Sequence, residues 1–189
     1  MERPPGVGSV PASASRRLFL KGLVGIGVVA AVAPRTLLAD EKAERVLSFF
    51  HTHTLERVTV PYFADGSYLF GGLSRLDSFL RDHRTGEEHP IDPALYDLLN
   101  DVRLATRARG PFQVISGYRS PQTNEMLREH GRGVAGGSLH LKGRAIDVRL
   151  SDVRTSVLRD AGLELARGGV GYYGASDFVH LDTGRFRRW

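Results

Sequence analysis

Three side chains in the last third of this 189-residue sequence have the types and spacing to hold one metal ion: His140, Asp147 and His180. Neutral imidazole and carboxylate are the ligands of a hydrolytic zinc centre, which takes three protein groups and keeps one position for water. Gly143 lies between the first two and permits the tight bend that would turn His140 and Asp147 toward one point. His180 falls in the alternating run Phe178-Val179-His180-Leu181-Asp182. On a strand, Phe178, His180 and Asp182 would share one face while Val179 and Leu181 pack behind it. Taken alone, a histidine on a strand is more often a core or surface residue than a ligand. Asp147, inside Ala-Ile-Asp-Val, is less innocent, because a carboxylate buried without a partner is costly.

Other chemistry is thinly represented. His51 and His53 have a spacing that could bind metal, but a polar hairpin turn explains them more simply, and His83, His89 and His130 read as surface residues. Gly136-Gly137-Ser138 has the start of a nucleophile elbow, but His140 stands where that motif needs glycine. The sequence has no cysteine, which excludes disulfides, thiol nucleophiles and Cys-based metal sites. It contains no His-Glu-x-x-His, phosphate-binding loop or dinucleotide fingerprint.

The elements that must position these groups follow from the hydrophobic pattern. Strands are predicted over Val46–Phe50 and Val58–Phe63, around a His51–Thr54 turn, and again at Phe112–Ser116, Ala145–Leu150, Val170–Tyr173 and Phe178–Leu181. Leu73, Leu76, Phe79 and Leu80 recur at helical spacing. Asp92-Pro93 supplies a cap and a first-turn proline for a helix whose buried stripe would be Leu95, Leu98, Leu99, Val102 and Ala105. Ser120-Pro121 opens another helix with Met126 and Leu127 inward. A last helix is expected over 152–166, with Val153, Val157, Leu158 and Leu163 as its apolar face. Strands and helices mix without βαβ alternation, so the fold class is α+β in one domain: a small, mainly antiparallel sheet flanked by helices.

Residues 1–39 differ from the rest. Arg16-Arg17 precedes an uncharged Gly/Ala-rich run of twelve residues, 22–33, too short for a membrane span of about 20 residues. The pattern resembles a twin-arginine export signal, with the mature chain, 40–189, starting near Asp40 and residing in the bacterial periplasm or cell envelope without a stable membrane span. The leader holds five bases and one acid; removing them from the chain's 26 bases and 21 acids turns a net charge of +5 into +1. A nucleic-acid partner therefore loses its electrostatic support.

The segment Ser138-x-His140-x-x-Gly143-x-Ala145-x-Asp147 resembles the signature of the D-alanyl-D-alanine peptidases typified by VanX and VanY. Ser116-Gly117-Tyr118-Arg119-Ser120 with Asn124 resembles an upstream segment of that group. The closing Phe178–Arg185 stretch with Trp189 is most similar to the YcbK (MepK)-like murein endopeptidase branch. The resemblance implies a Hedgehog/D-Ala-D-Ala-peptidase-like fold and a single Zn2+ held by His140, Asp147 and His180. It also implies hydrolysis of peptidoglycan peptides; the leader pattern separately implies export of the precursor through the twin-arginine machinery. Arg119 would bind the substrate carbonyl or carboxylate and stabilise the oxyanion, and Ser138 and Tyr118 would contact substrate. VanX-type enzymes carry a glutamate three residues before the last histidine, where this chain has Asp177; Asp177 is the expected general base, with Asp182 the competing candidate. That departure leaves open a catalytically silent, peptidoglycan- or partner-binding relative. Which peptide bond is cut, an endopeptidase cross-link or a terminal D-Ala, is open at this level.

Overall fold

The computed structural model describes residues 43–130 and 136–189. The leader assigned to residues 1–39 lies outside them, as does Val134, the first residue of the glycine-rich loop before Ser138.

Eight strands form one sheet: β1 Arg45–His51, β2 Arg57–Ala64, β3 Ser67–Tyr68, β4 Phe112–Ser116, β5 Ala145–Leu150, β6 Gly169–Tyr173, β7 Phe178–Asp182 and β8 Arg187–Arg188, in the spatial order β3-β2-β1-β4-β5-β7-β6-β8. Five of the pairings are antiparallel; β1 with β4 and β6 with β8 are parallel. The α+β, mainly antiparallel expectation therefore holds, in a wider sheet than foreseen. Four helices accompany it: α1 Phe70–Phe79, α2 Pro93–Thr106, α3 Pro121–Glu129 and α4 Thr155–Leu165.

Alternation along the strands sorts the sheet into two faces. Leu47 and Phe49, Val60 and Tyr62, Phe112 and Val114, Ile146 and Val148, and Val179 and Leu181 all point to one side and form the hydrophobic core. Helix α2 seals it with Leu95, Leu98, Leu99 and Val102, and α1 and α4 add Leu76, Phe79 and Leu158. The opposite face of β5 and β7 carries Asp147, His180 and Asp182. The core thus holds this polar cluster from behind, and a one-residue slip of either strand would put its side chains into the core.

Local chemistry sets the helix ends. The Asp92 carboxylate accepts the Ala94 N–H at 3.0 Å, and Ser120 Oγ accepts the Thr123 N–H at 3.2 Å, both ahead of a first-turn proline. Ala105 is exposed; Tyr96 and Asn100 are buried along α2 instead. Helix α4 starts at Thr155 rather than 152, because Asp152 is taken by another turn: its carboxylate accepts the N–H groups of Arg109 and Gly110. Val157 faces solvent, and Leu158, Ala161 and Gly162 make the inward face.

Candidate metal centre

Asp147 on β5 and His180 on β7 are direct cross-strand partners in an antiparallel pair, so their side chains rise together from the same face. His140 arrives from outside the sheet, in a single 3-10 turn over Leu139–Lys142. Ser138 starts that turn by accepting the His140 N–H, and Gly143 ends it in the left-handed region at φ 61°. A Cβ on Gly143 would lie 2.2 Å from the Pro90 carbonyl oxygen, so the return toward Asp147 requires glycine.

The three groups converge and are buried. His180 Nδ1 lies 2.8 Å from Asp147 Oδ1 and 3.2 Å from His140 Nε2, and His140 Nε2 lies 3.3 Å from Asp147 Oδ1. Tetrahedral ligands about 2.0–2.2 Å from zinc stand about 3.3–3.5 Å apart. The triangle is thus already close to one face of such a tetrahedron.

Partners behind the imidazoles fix which nitrogen is free. His140 Nδ1 donates to the Gly117 carbonyl at 2.8 Å, leaving the Nε2 lone pair toward the cluster. His180 Nε2 donates to Asp182 Oδ2 at 3.0 Å, leaving Nδ1 toward the cluster. A donated ring N–H is how proteins orient metal-binding histidines.

Asp182 is fully buried and saturated. Besides His180 it accepts both prongs of the Arg187 guanidinium, at 3.0 and 2.7 Å, and the N–H groups of Gly169 and Gly184. Burial works to raise its pKa, but these donors hold it well below the usual carboxylate range. Burial also acts to raise Asp147, and His140 and His180 hold it low in the same way. For His180, burial opposes protonation, yet its hydrogen bonds to Asp147 and Asp182 lift its pKa to about 9. The pocket therefore favours positive charge at its centre. Two neutral imidazoles with oriented lone pairs and an ionised carboxylate fit a divalent metal.

The remaining expected site residues divide. Arg119 is 8% exposed; its guanidinium stands 3.7 Å from Asp147 Oδ2, and its Nε is buried with no partner among the described residues. Its backbone N–H bonds to the His140 carbonyl, which ties Arg119 to the ligand turn. Ser138 lines the same cleft. Tyr118 is buried, with its hydroxyl donating to Glu87 at 2.8 Å and its ring stacked on His89. Asp177 stands in the left-handed turn entering β7, with an exposed side chain. It accepts Thr155 Oγ at 2.9 Å and faces Arg149 at 3.4 Å. The structure thus gathers His140, Asp147, His180, Arg119 and Ser138, and sets Tyr118 and Asp177 apart from them.

The cleft over this cluster measures roughly 580 Å³. Its lining includes Tyr173, Phe178, Arg187 and Trp189, and also His53 and Arg84. Trp189 closes over His180, ring centroids 5.2 Å apart, in space left by Gly171, where a Cβ would lie 2.6 Å from the indole. Arg187 is the positioning group that motif spacing missed. Its signal was a base five residues after an acid, a spacing too common to read unaided. His51, expected in a polar turn, is 1% exposed on the core face, and its Nδ1 accepts the N–H groups of His53 and Thr54.

Comparisons with known proteins agree with this geometry. The family profile described as peptidoglycan L,D-endopeptidase MepK matches residues 39–189. The peptidoglycan L,D-endopeptidase MepK of Escherichia coli K12 is 38% identical over 174 residues, covering 92% of this chain and 96% of the relative. A probable peptidoglycan L,D-endopeptidase MepK of Haemophilus influenzae is 36% identical over 170 residues, covering 88% and 91%. With a match over the whole described region and a His/Asp/His cluster at its centre, this chain belongs to the MepK family of peptidoglycan endopeptidases.

Proposed function

We propose that this chain is an exported zinc peptidase that hydrolyses peptide cross-links or peptide stems of peptidoglycan. The observation that carries the reading is the buried triangle of His140 Nε2, Asp147 Oδ1 and His180 Nδ1, floored in a cleft open to a peptide. Zinc bound by these residues would supply a Lewis acid and a more acidic water at neutral pH.

The chain's own residues do the rest. Asp182 and the Gly117 carbonyl hold the two imidazoles in their ligand tautomers. Arg119 presents a buried guanidinium at the edge of the cluster, where its charge and unpaired Nε suit the oxygen of the scissile carbonyl as it gains negative charge. Ser138 lines the floor beside His140. Tyr118, next in sequence to Arg119, is held by stacking on His89 and bonding to Glu87.

Asp177 is the proton acceptor in this reading. Asp147 is committed to the ligand set, and Asp182 accepts from His180, Arg187 and two backbone N–H groups, with no capacity for a reacting proton. Asp177 has only Thr155 Oγ and a long contact to Arg149, and it stands at the mouth of β7. To act, its carboxylate exchanges the Thr155 hydroxyl for the attacking water, then returns the proton to the leaving amine.

Residues 1–39, with paired arginines and a short apolar run, act as the leader for twin-arginine export to the periplasm. The family match beginning at residue 39 supports that division. Among the described residues no helix is long and apolar enough to cross a membrane.

Purified protein lacking residues 1–39, incubated with muropeptides and resolved by mass spectrometry, tests the reading and reports the bond cut. Cleavage of a cross-linked or stem peptide that stops with chelator is expected. Absence of any cleavage by zinc-loaded protein would leave a silent peptidoglycan-binding relative instead.

A further inference from the structure

One wall of the cleft carries positive charge that the proposed chemistry does not use. Arg84 lines the cleft alongside Arg119 and His53. Its guanidinium pairs with no carboxylate among the described residues, and Arg119 feels its charge as a neighbouring like charge. The two arginines come from distant parts of the chain, and one buried carboxylate joins them. Asp82, 1% exposed, accepts the Arg84 backbone N–H at 2.9 Å on one oxygen. Its other oxygen accepts the N–H and the hydroxyl of Ser120, at 2.8 and 2.7 Å, immediately after Arg119. The third group is also held: the His53 ring lies flat on His83, centroids 4.2 Å apart.

Arg119 already stands 3.7 Å from the Asp147 carboxylate, whereas Arg84 has no carboxylate within ion-pair distance among the described residues, so an anion entering the cleft is drawn to Arg84. Arg84 lines the cleft, and its guanidinium makes no hydrogen bond or ion pair among the described residues, so its fork is available to a ligand. A guanidinium fork fits the two oxygens of a carboxylate better than any other group on a peptide. Resting on the reading of the chain as a murein peptidase, we propose that Arg84, with His53 and next to the carbonyl-binding Arg119, forms a subsite for a free carboxylate of the substrate peptide. Diaminopimelate, the stem-peptide residue with a second carboxylate beyond its backbone groups, is the bearer we assign. Arg84 is then a specificity-determining residue: it selects peptides whose carboxylate is free over those in which it is amidated.

The test is calorimetric titration of the zinc-loaded protein with a peptide ending in diaminopimelate–D-Ala, N-methylated at the D-Ala amide to resist cleavage. Three forms are compared: free acid, amidated at the diaminopimelate carboxylate, and amidated at the C-terminus. The wild type should bind the free acid and the C-terminal amide alike, and the diaminopimelate amide about tenfold more weakly. Arg84→Ala should bind all three like that weak form, and Arg84→Lys should restore part of the preference. A preference that survives Arg84→Ala, or a wild type indifferent to amidation at diaminopimelate, overturns the proposal. So does a preference set only by the C-terminal carboxylate. Muropeptide cleavage measured in parallel separates the two readings. A wild type that shows the preference but cleaves nothing defeats the enzyme assignment and leaves the subsite; one that cleaves without the preference does the reverse.

Discussion

Replacing Asp182 by asparagine separates a residue that positions a ligand from one that takes a proton. The Asp182 carboxylate accepts three bonds on Oδ1, from Gly169, Gly184 and Arg187, and two on Oδ2, from His180 and Arg187. An amide cannot replace it, because in either orientation its NH2 group meets at least two donors. If the NH2 faces His180, the imidazole can relieve the conflict only by moving its proton from Nε2 to Nδ1, the atom that faces His140 and Asp147. Loss of such an orienting partner costs about 10–100-fold in metal affinity. The ion pair with the partly exposed Arg187 is broken as well, which costs stability of about 1–3 kcal/mol and a fall in Tm of roughly 2–12 °C. Zinc competition against a chromophoric chelator gives the affinity, and peptide hydrolysis at saturating zinc gives the turnover. Zinc binding should weaken, with kcat within about tenfold of wild type once zinc saturates. Unchanged zinc affinity, or a loss of kcat beyond about 10²-fold at saturating zinc, would show that Asp182 acts on the proton and refute the reasoning.

Three further outcomes follow from the same geometry. Asp177→Asn should lower kcat at least about 10²-fold while zinc content is unchanged, as measured by metal analysis and hydrolysis on one sample; retained activity removes Asp177 from the chemistry. Arg119→Ala should lower kcat by about 10²–10³-fold with zinc still bound, and Arg119→Lys should recover only part, since a lysine lacks the fork. Stability should fall between pH 6.5 and 4 through His51, whose burial depresses its pKa to about 4. The folded chain favours the neutral ring, so this contribution is complete above pH 6.5 and disappears as pH falls toward 4, a loss of at most about 3 kcal/mol. Urea melts of the wild type and of His51→Asn, whose carbonyl can accept the turn N–H groups, should diverge across that window; parallel curves would exclude His51 as the source.

The His140–Asp147–His180 cluster was legible because its constraints are local. Gly143 makes the bend between His140 and Asp147, and the alternation from Phe178 to Asp182 put His180 on the polar face of a strand with Val179 and Leu181 behind it. The helices at Pro93 and Pro121 were equally readable, since a capping side chain and a first-turn proline act within four residues. What escaped notice depended on distant partners. Asp152 looks like a helix cap but serves the turn at Arg109 and Gly110. His51 looks like a turn residue but lies on the core face, edge-on to Phe79. The parallel pairing of β1 with β4 has no sequence signature of its own. Asp182 could be read as a base because it shares a face with His180; only the folded arrangement of Arg187, Gly169 and Gly184 around it reveals that its capacity is already filled.

The central claim is that peptide hydrolysis depends on one zinc ion held by His140, Asp147 and His180. Its most direct test is the titration of chelator-stripped protein with zinc while muropeptide cleavage is followed. Activity should rise from zero and break at one equivalent, and His140→Ala should show no such rise. Cleavage by protein verified to be metal-free, or a zinc-saturated wild type that remains inert, would contradict the account.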